Sequence, residues 1–568
     1  MPPSLPKSPA DLVDASWLEI AAYYDALAVD APTRATARAW LRQWSSLEEM
    51  VNEAASQALI AYTGNTADTA AETRYLRFVT EIQPNVEARQ TGLAELLIAT
   101  GIDDSDITTL LREFRTTVSI FRTANVARFA QIEELSANYQ KIAGGLSVEI
   151  DGQTLTIPQL QPLLESEDRA ARERAFRAGA DAYLAHRDEI SDLFDRMFAL
   201  RHAVAEESGF ADFQAFSYAA KHRYDYTADD VARFHDAVAD VVTPAAARVH
   251  AYRRERLGVD TLRPWDLAVD ADGLAPLRPF RDAAEFVAAS GRIFSTLDAE
   301  LGSRFADMAR DGLLDLESRP NKAPGGYCTT LHHRKQPFVF MNAVGVSDDV
   351  TTLVHEAGHC FHAYLASHQE LIWQRGTGSE AAELASMSME LLAAPQFALP
   401  VGYYTSDQAR RAQAAHLEDV LLALPHIASV DAFQRWIYTS GEGHDRVARD
   451  AAWLAIRARF ERGIDWSGLD RERTARWYRQ LHIFELPFYY IEYGIAQLGA
   501  LQIWKRSLTD PDGALAGYKS ALRLGGTRSL PELYAAAGAR LIFDADGMRE
   551  LVGLVEERLE TLRGSTVS

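Results

Sequence analysis

The spacing of apolar residues predicts a mainly helical chain. From about residue 16 to residue 204, apolar side chains recur at helical spacing within long stretches rich in Ala, Leu, Arg and Glu, the pattern of amphipathic helices. Two short alternating runs, residues 148–150 and 154–157, interrupt this pattern. Asp151 and Gly152 between them favour the positive φ angles of a tight turn, so the interruption predicts a small β-hairpin.

A second β element is predicted near the middle of the chain. Residues 337–341 form a short apolar run, interpreted as an edge strand with which an extended peptide can pair. In the loop before it, Gly325 and Gly326 allow a close approach to that peptide, and a simple surface turn is the alternative. Helical spacing returns from about residue 349 to residue 562. The predicted fold class is therefore mainly α, with a small β element.

Composition limits the partners and the compartment. A chain of 568 residues exceeds the size that one hydrophobic core usually serves, so two or more lobes are expected. The net charge of −22 argues against nucleic-acid and anionic-membrane partners, because both need a basic surface. The chain has two cysteines, Cys328 and Cys360, no leader-like N-terminus and no apolar run of about 20 residues. These features predict a cytoplasmic protein without a membrane span.

The chemistry centres on a metal-binding motif. His355, Glu356 and His359 form an H-E-x-x-H sequence, which places two imidazoles four residues apart on one helix face. Both imidazoles can then bind one zinc ion, while Glu356 projects beside the attacking water. Asp348 or Asp349 can cap this helix at its N-terminus. The motif is short enough to arise by chance, so a third protein ligand is needed to support the prediction of a zinc site.

The third zinc ligand is predicted on the next helix. The metzincin spacing needs His where the chain has Leu365, and the thermolysin-like and aminopeptidase spacings need Glu at 379 or 378, where it is absent. Glu380 and Glu383 are the acidic candidates, on a helix that Ser379 is expected to cap and that runs to about residue 394. We predict Glu383 as the ligand. Glu390 shares its face and is predicted to orient an imidazole; a solvated carboxylate is the alternative.

The neighbouring residues are given structural roles. His362 lies two turns after His355 and is interpreted as a supporting or core histidine, because a fourth ligand would take the water's place. Cys360 points away from the two imidazoles and is interpreted as a small buried residue. Five further histidines are interpreted as surface residues: His250, His332, His333, His416 and His426.

Four sequence blocks in order resemble the M3 family of metallopeptidases, which contains thimet oligopeptidase and oligoendopeptidase F. The blocks are residues 322–342, 348–362, 383–390 and 482–494. The shorter chain and the Pro-Phe-Tyr sequence in the last block are more similar to the oligoendopeptidase F branch than to the thimet oligopeptidase branch. The resemblance implies a two-lobed helical clamshell with one Zn²⁺ at the bottom of a deep, narrow channel that excludes folded proteins.

The last block supplies further candidate residues. By resemblance, His482 with Tyr490 or Tyr493 stabilises the oxyanion or binds the substrate backbone, and Tyr489 is the nearest competitor for that role. The alternative for the tyrosines is an aromatic helix face in the core.

The sequence therefore predicts a zinc oligoendopeptidase that hydrolyses internal bonds of short, unstructured oligopeptides. An N-terminal helical region, residues 1–190, is expected to precede a catalytic region, residues 191–568. A carboxypeptidase of related helical fold and a peptide-binding relative without turnover are the alternatives. Retention of Glu356 argues against the second, because a binding protein does not need a general base. Oligomeric state and side-chain preference stay open.

Overall fold

A computed structural model describes residues 6–564 and is mainly helical, as predicted. In chain order its α-helices are α1 Ala10–Val13, α2 Trp17–Val29, α3 Ala37–Gly64, α4 Thr69–Arg77, α5 Gln83–Ala99, α6 Thr108–Ile120, α7 Thr123–Gly145, α8 Gln161–Leu164, α9 Arg169–Ala185, α10 Arg187–Glu207, α11 Phe213–Ala220, α12 Ala228–Ala237, α13 Thr243–Arg256, α14 Ala283–Leu297, α15 Ala299–Arg310, α16 Ser347–Ala366, α17 Ile372–Arg375, α18 Ser379–Ala393, α19 Ser406–Thr439, α20 Arg446–Phe460, α21 Asp470–Tyr478, α22 Leu481–Glu485, α23 Tyr490–Ser507, α24 Pro511–Leu524, α25 Leu530–Ala537 and α26 Ala545–Gly564.

Shorter elements complete the description. The β-strands are β1 Ser147–Ile150, β2 Gln153–Thr156, β3 Leu314–Glu317, β4 Tyr327–Leu331 and β5 Gln336–Ala343. The 3₁₀ turns are Ser105–Ile107, Pro158–Leu160, Pro264–Asp266 and Ala394–Gln396, and the π-helical turns are Phe78–Ile82 and Val238–Val242.

The chain forms two compact units, each assembled from three separate stretches. The first unit comprises Met1–Phe121, Leu277–Gln413 and Ala496–Leu541, and the second comprises Arg122–Pro276, Ala414–Ile495 and Ile542–Ser568. Within the first unit, Trp44 packs against Trp373 with ring centroids 4.6 Å apart, so its first two stretches share one core. The predicted division after residue 190 concerns function rather than these units, and it stays a prediction.

The predicted hairpin is confirmed in the second unit. Strands β1 and β2 pair antiparallel, and Asp151 and Gly152 have φ angles of 53° and 78° between them. Two consecutive positive φ angles fit the right-handed twist of a two-residue hairpin. Val148 and Leu160 are buried beneath the hairpin together with Ala175 of α9, which ties it to the neighbouring helix.

The sheet of the first unit corrects one prediction. Its strand order is β3-β5-β4, with β5 parallel to β3 on one side and antiparallel to β4 on the other. Strand β5 contains residues 337–341 and is therefore central, so its interpretation as an edge strand that pairs with a peptide is wrong. The continuous apolar run is explained by burial between two partner strands. At the outer edge, the Thr330 carbonyl of β4 accepts a hydrogen bond from Ser56 Oγ at 3.2 Å.

Asp349 holds the chain that enters α16. It is the third residue of the helix, whose N-cap position is Val346, and its Oδ2 accepts hydrogen bonds from the backbone N–H groups of Val344, Gly345 and Val346 at 2.8–2.9 Å. The aspartate therefore fixes the entry to the helix from within its first turn and is not its N-cap residue. The expected cap of α18 is wrong, because Ser379 is the first residue inside that helix and makes no capping hydrogen bond.

Helices α16 and α18 come unusually close at Gly358. A β-carbon at this position would lie 2.5 Å from Ser386 Cα and 2.7 Å from the Ala385 carbonyl oxygen. Any larger residue would push the two helices apart, since real β-carbons do not approach backbone atoms this closely. The glycine in the H-E-A-G-H sequence therefore fixes the separation between the two helices that carry the predicted ligands.

The N-terminal core of the first unit encloses a carboxylate. Glu48 is 1% exposed and accepts hydrogen bonds from the Tyr24 hydroxyl at 3.1 Å and the Trp44 indole at 2.8 Å. The Gln90 amide donates to it at 2.7 Å and the Asn52 amide at 3.4 Å. Burial raises the pKa of Glu48 to about 7 despite these donors.

Replacing Glu48 with glutamine tests this burial. Because the folded protein binds the Glu48 proton more tightly than the unfolded chain, stability falls as pH rises from about 4.5 to about 7. We expect the free energy of unfolding of the wild type to fall by about 3 kcal/mol relative to Glu48→Gln over that range. Urea unfolding at pH 5 and pH 8, followed by tryptophan fluorescence, measures the difference. Equal pH dependence of the two proteins would contradict the assignment.

Candidate metal centre

Three side chains of the first unit converge on one point. Glu383 Oε2 of α18 lies 3.3 Å from His355 Nε2 and 3.8 Å from His359 Nε2, both on α16. The three ligand atoms all lie within 4.8 Å of one another. A tetrahedral zinc ion with bonds of about 2.0–2.1 Å separates its ligand atoms by about 3.4 Å. The donor types and their spacing therefore fit one Zn²⁺.

The local structure of both helices orients these ligands. The imidazoles of His355 and His359 lie one turn apart, with ring centroids 5.0 Å apart and planes at 85°. Glu383 is 5% exposed and accepts a hydrogen bond from Ser386 Oγ at 3.0 Å. Because Ser386 also lies at the close approach to Gly358, helix packing and ligand orientation depend on the same residues.

Glu390 contacts the imidazole that it is predicted to orient. Its Oε1 lies 2.6 Å from His355 Nδ1. A carboxylate on one imidazole nitrogen fixes the tautomer that presents the other nitrogen to a metal. The alternative of a solvated carboxylate is not what the structure shows, since the Glu390 side chain is 12% exposed and bonded to His355. Its effect on metal binding stays a prediction.

The charges around the ligands favour a cation. Burial opposes protonation of His355, but its hydrogen bonds to Glu383 and Glu390 outweigh burial and raise its pKa to about 10. Burial lowers the pKa of His359 to about 4, because it outweighs the attraction of the Glu383 and Glu390 carboxylates for a proton on this imidazole. The two carboxylates beside these imidazoles would therefore favour a divalent cation at the same point.

Glu356 lies beside the ligand group. Burial raises the pKa of its carboxyl above the ordinary value, although neighbouring His355 opposes the increase. The carboxylate also accepts a hydrogen bond from the backbone N–H of Cys328 in β4. A half-buried carboxylate with an increased affinity for protons is suited to act as a general base.

The neighbouring residues stay outside the ligand group. His362 is 8% exposed, and burial lowers its pKa to about 4, as expected of a neutral core histidine. Cys360 is buried, and its Sγ lies 3.5 Å from Cys328 Sγ. Glu380 is buried on α18 but supplies no atom to the ligand group.

The two candidate glycines approach their own sheet. Gly325 has a φ of 94°, and its carbonyl accepts a hydrogen bond from the Asn342 amide at 2.9 Å. A β-carbon on Gly326 would lie 3.3 Å from the Phe340 carbonyl oxygen. The sheet therefore explains why small residues stand here, and contact with a substrate stays a prediction.

The remaining candidates form an aromatic cluster in the second unit. The His482 ring centroid lies 4.8 Å from that of Tyr490, 5.8 Å from Tyr489 and 6.1 Å from Tyr493. Tyr489 and Tyr493 are 5.1 Å apart. The structure thus brings all four predicted residues of this block together, although they span the end of one helix and the start of the next.

A half-buried polar chain that includes Tyr490 was missed by the sequence interpretation. The Gln480 amide donates to the Tyr490 hydroxyl, and the Tyr490 ring packs edge-on against His426 at 5.6 Å. His426 Nδ1 accepts a hydrogen bond from Arg457 at 3.0 Å, and burial lowers the His426 pKa to about 3. His426 is half-buried rather than fully exposed, and the interpretation of His250 as a surface residue is wrong, because it is 7% exposed.

Comparison with known proteins identifies the class to which this fold and site belong. A sequence model of peptidase family M3 matches residues 162–552, which is more than half of the chain. The chain therefore belongs to peptidase family M3. Its metallo-oligopeptidase activity follows from membership in this family, as the H-E-x-x-H motif predicts.

Within the family, the similarity is to oligoendopeptidase F. An oligoendopeptidase F homolog from Borreliella burgdorferi is 22% identical over 420 residues, covering 70% of this chain and 68% of the relative. The structure of PZ peptidase A solved with an inhibitor has a TM-score of 0.87 and 29% identity, covering 98% of both chains. An X-ray structure assigned as oligoendopeptidase F has a TM-score of 0.86 and 30% identity, covering 99% of this chain and 97% of the other.

These similarities confirm the predicted family, its oligoendopeptidase F group and the mainly helical fold. Across residues 6–564, no helix combines the length and apolar character needed to cross a membrane.

Two glutamates of α18 provide a matched test of the ligand assignment. We expect Glu383→Gln to weaken zinc binding by more than the roughly 10- to 100-fold that loss of an outer partner costs. Glu380→Gln, a change in a buried glutamate one turn earlier, should keep one zinc ion per chain. Metal analysis after dialysis against a competing chelator measures both. Equal zinc contents in the two variants would exclude Glu383 as a ligand.

Proposed function

We propose that this M3 peptidase is a zinc-dependent oligoendopeptidase that cleaves internal bonds of short, unstructured peptides. The observation that carries the proposal is the convergence of His355, His359 and Glu383, with Glu356 on the adjacent turn of the same helix. Three protein ligands leave one position of a tetrahedral zinc ion open, as catalytic zinc sites require. The cytoplasmic location stays a prediction.

The residues of the first unit have distinct roles in this proposal. A bound zinc ion acidifies water and polarises the scissile carbonyl group. Glu356 removes a proton from the attacking water and then passes it to the leaving amine. Glu390 holds the His355 imidazole in the tautomer that presents Nε2. The carboxylate of Glu383 completes the ligand set and offsets part of the metal charge.

The residues of the second unit are proposed to act on the substrate. Family membership supports His482 with Tyr490 or Tyr493 as donors to the oxyanion or to the substrate backbone. Of the tyrosines, Tyr490 is favoured, because its oxygen accepts a hydrogen bond from Gln480 and its own proton stays available for donation. Tyr489 instead has the Lys221 ammonium 5.1 Å from its ring centroid.

Cleavage of an internally quenched peptide of about ten residues tests the proposal. We expect wild-type protein to cut internal bonds, to lose activity with a chelator and to regain it when zinc is added. Glu356→Gln should lower kcat by about 10²- to 10⁴-fold, because the general base is removed. Mass spectrometry of the products identifies the bonds cut, and zinc analysis of Glu356→Gln checks that the metal is still bound.

The product pattern separates the alternatives. Release of single C-terminal residues would indicate a carboxypeptidase of the same helical fold. Tight peptide binding without products, in the presence of zinc, would indicate a binding protein. Undiminished cleavage by Glu356→Gln would rule out its role as the general base.

A pair of tyrosine variants tests the assignment of the oxyanion donor. We expect Tyr490→Phe to lower kcat by about 10²- to 10³-fold, with KM little changed, because the hydroxyl acts mainly in the transition state. Tyr489→Phe should keep kcat within about threefold of the wild type. Initial rates over a range of peptide concentrations measure both constants. The reverse result would transfer the role to Tyr489.

A further inference from the structure

The segment that carries the aromatic cluster contains a strained residue. Phe488 lies between His482 and the three tyrosines, has a φ of 62° and is fully buried. A bulky side chain in this left-handed region is an outlier that persists only where the surrounding structure holds it. The turn at Phe488 also sets the direction in which the chain enters α23, and hence the direction of the tyrosine side chains.

Two buried side chains hold the backbone of Phe488 on both sides. Its N–H donates to Gln434 Oε1 at 3.1 Å, and its carbonyl accepts a hydrogen bond from Arg223 Nη2. Gln434 is fully buried, and the Arg223 side chain is 1% exposed. The Gln434 amide also donates to the His482 carbonyl at 3.4 Å. One glutamine therefore links the turn to the histidine of the aromatic cluster.

Arg223 links the same turn to the first helical turn after it. Its Nη2 lies 2.6 Å from Glu492 Oε1, and the Glu492 side chain is 3% exposed. Glu492 lies between Tyr490 and Tyr493 on α23. A single guanidinium thus joins the strained peptide and the helix that carries two candidate donors.

This arrangement goes beyond what stability requires. A buried ion pair contributes little net stability on average, since desolvation offsets its Coulomb attraction. The contacts of Gln434 and Arg223 nevertheless meet the backbone and the Glu492 carboxylate within the twelve residues, 482–493, that carry all four aromatic candidates. Oxyanion donors must be held to within about 0.5 Å, and backbone contacts of this kind provide that restraint.

We propose that Arg223 and Gln434 are positioning residues that hold His482, Tyr490 and Tyr493 in the geometry needed for transition-state contacts. This inference rests on the proposed function, because it assigns the two residues to the same reaction. They act through the backbone of the aromatic segment and do not touch the reacting atoms.

Arg223→Lys is the first test, with Arg449→Lys as its matched control. Arg449 is another fully buried arginine of the second unit, and it donates to the Gly443 carbonyl and to Asp195, neither of which belongs to residues 482–493. We expect Arg223→Lys to lower kcat by about 10- to 100-fold, with KM within about threefold. Arg449→Lys should keep the wild-type kcat at a comparable loss of thermal stability. The internally quenched peptide and thermal denaturation provide the measurements.

Gln434→Asn is the second test and applies if Arg223→Lys does not fold. The shorter amide cannot reach both the Phe488 N–H and the His482 carbonyl, so kcat should again fall by about 10- to 100-fold. Loss of kcat at unchanged KM in either variant, but not in Arg449→Lys, supports the proposal. Equal kcat in the variants and the control, or an increase in KM alone, overturns it.

The wild type and Tyr490→Phe, run in parallel, separate this proposal from the proposed function. If the wild type does not cleave peptides, both the proposed function and the positioning role are rejected. Cleavage by the wild type with a defect in Tyr490→Phe but none in Arg223→Lys or Gln434→Asn removes only the positioning role.

Discussion

The contact between α16 and α18 at Gly358 is the constraint on which the metal centre depends. With a hydrogen atom in place of a side chain, the helices approach until a β-carbon would lie 2.5 Å from Ser386 Cα. At that separation Glu383 reaches both imidazoles, and Glu390, two turns later, reaches the outer nitrogen of His355. The distances between the candidate ligand atoms therefore follow from how closely the backbones of the two helices pack.

Electrostatics reinforces this geometry. Two carboxylates and two imidazoles in a poorly solvated place are costly without a positive charge, because buried anions need compensation. The raised pKa of His355 reflects this, because burial opposes its protonation but the hydrogen bonds to Glu383 and Glu390 outweigh burial. In the second unit, by contrast, the aromatic cluster consists of one imidazole ring and three phenol rings in mutual contact. The two groups are suited to different tasks: binding a cation and donating hydrogen bonds.

Local patterns were sufficient to predict the hairpin and the side chains that converge as candidate ligands. Helix geometry sets the spacing of His355 and His359, and the geometry of a tight turn favours the pair Asp151-Gly152. Each pattern is therefore visible within a few residues. Strand order was not predictable, because β5 is central only through β3, a strand of four residues with a weak pattern. The contacts of Phe488 with Gln434 and Arg223 span 54 and 265 residues, and no local signal marks such partners.

The interleaved composition of the two units has a consequence for inheritance. Each unit is assembled from three stretches that alternate along the chain, and the N-terminal stretch shares its aromatic core with Trp373, just before the helix of Glu383. No single cut divides the gene into two parts that each encode a whole unit. A single recombination point between residues 122 and 541 would therefore split both units at once, and exchange of one whole unit would need several crossover points.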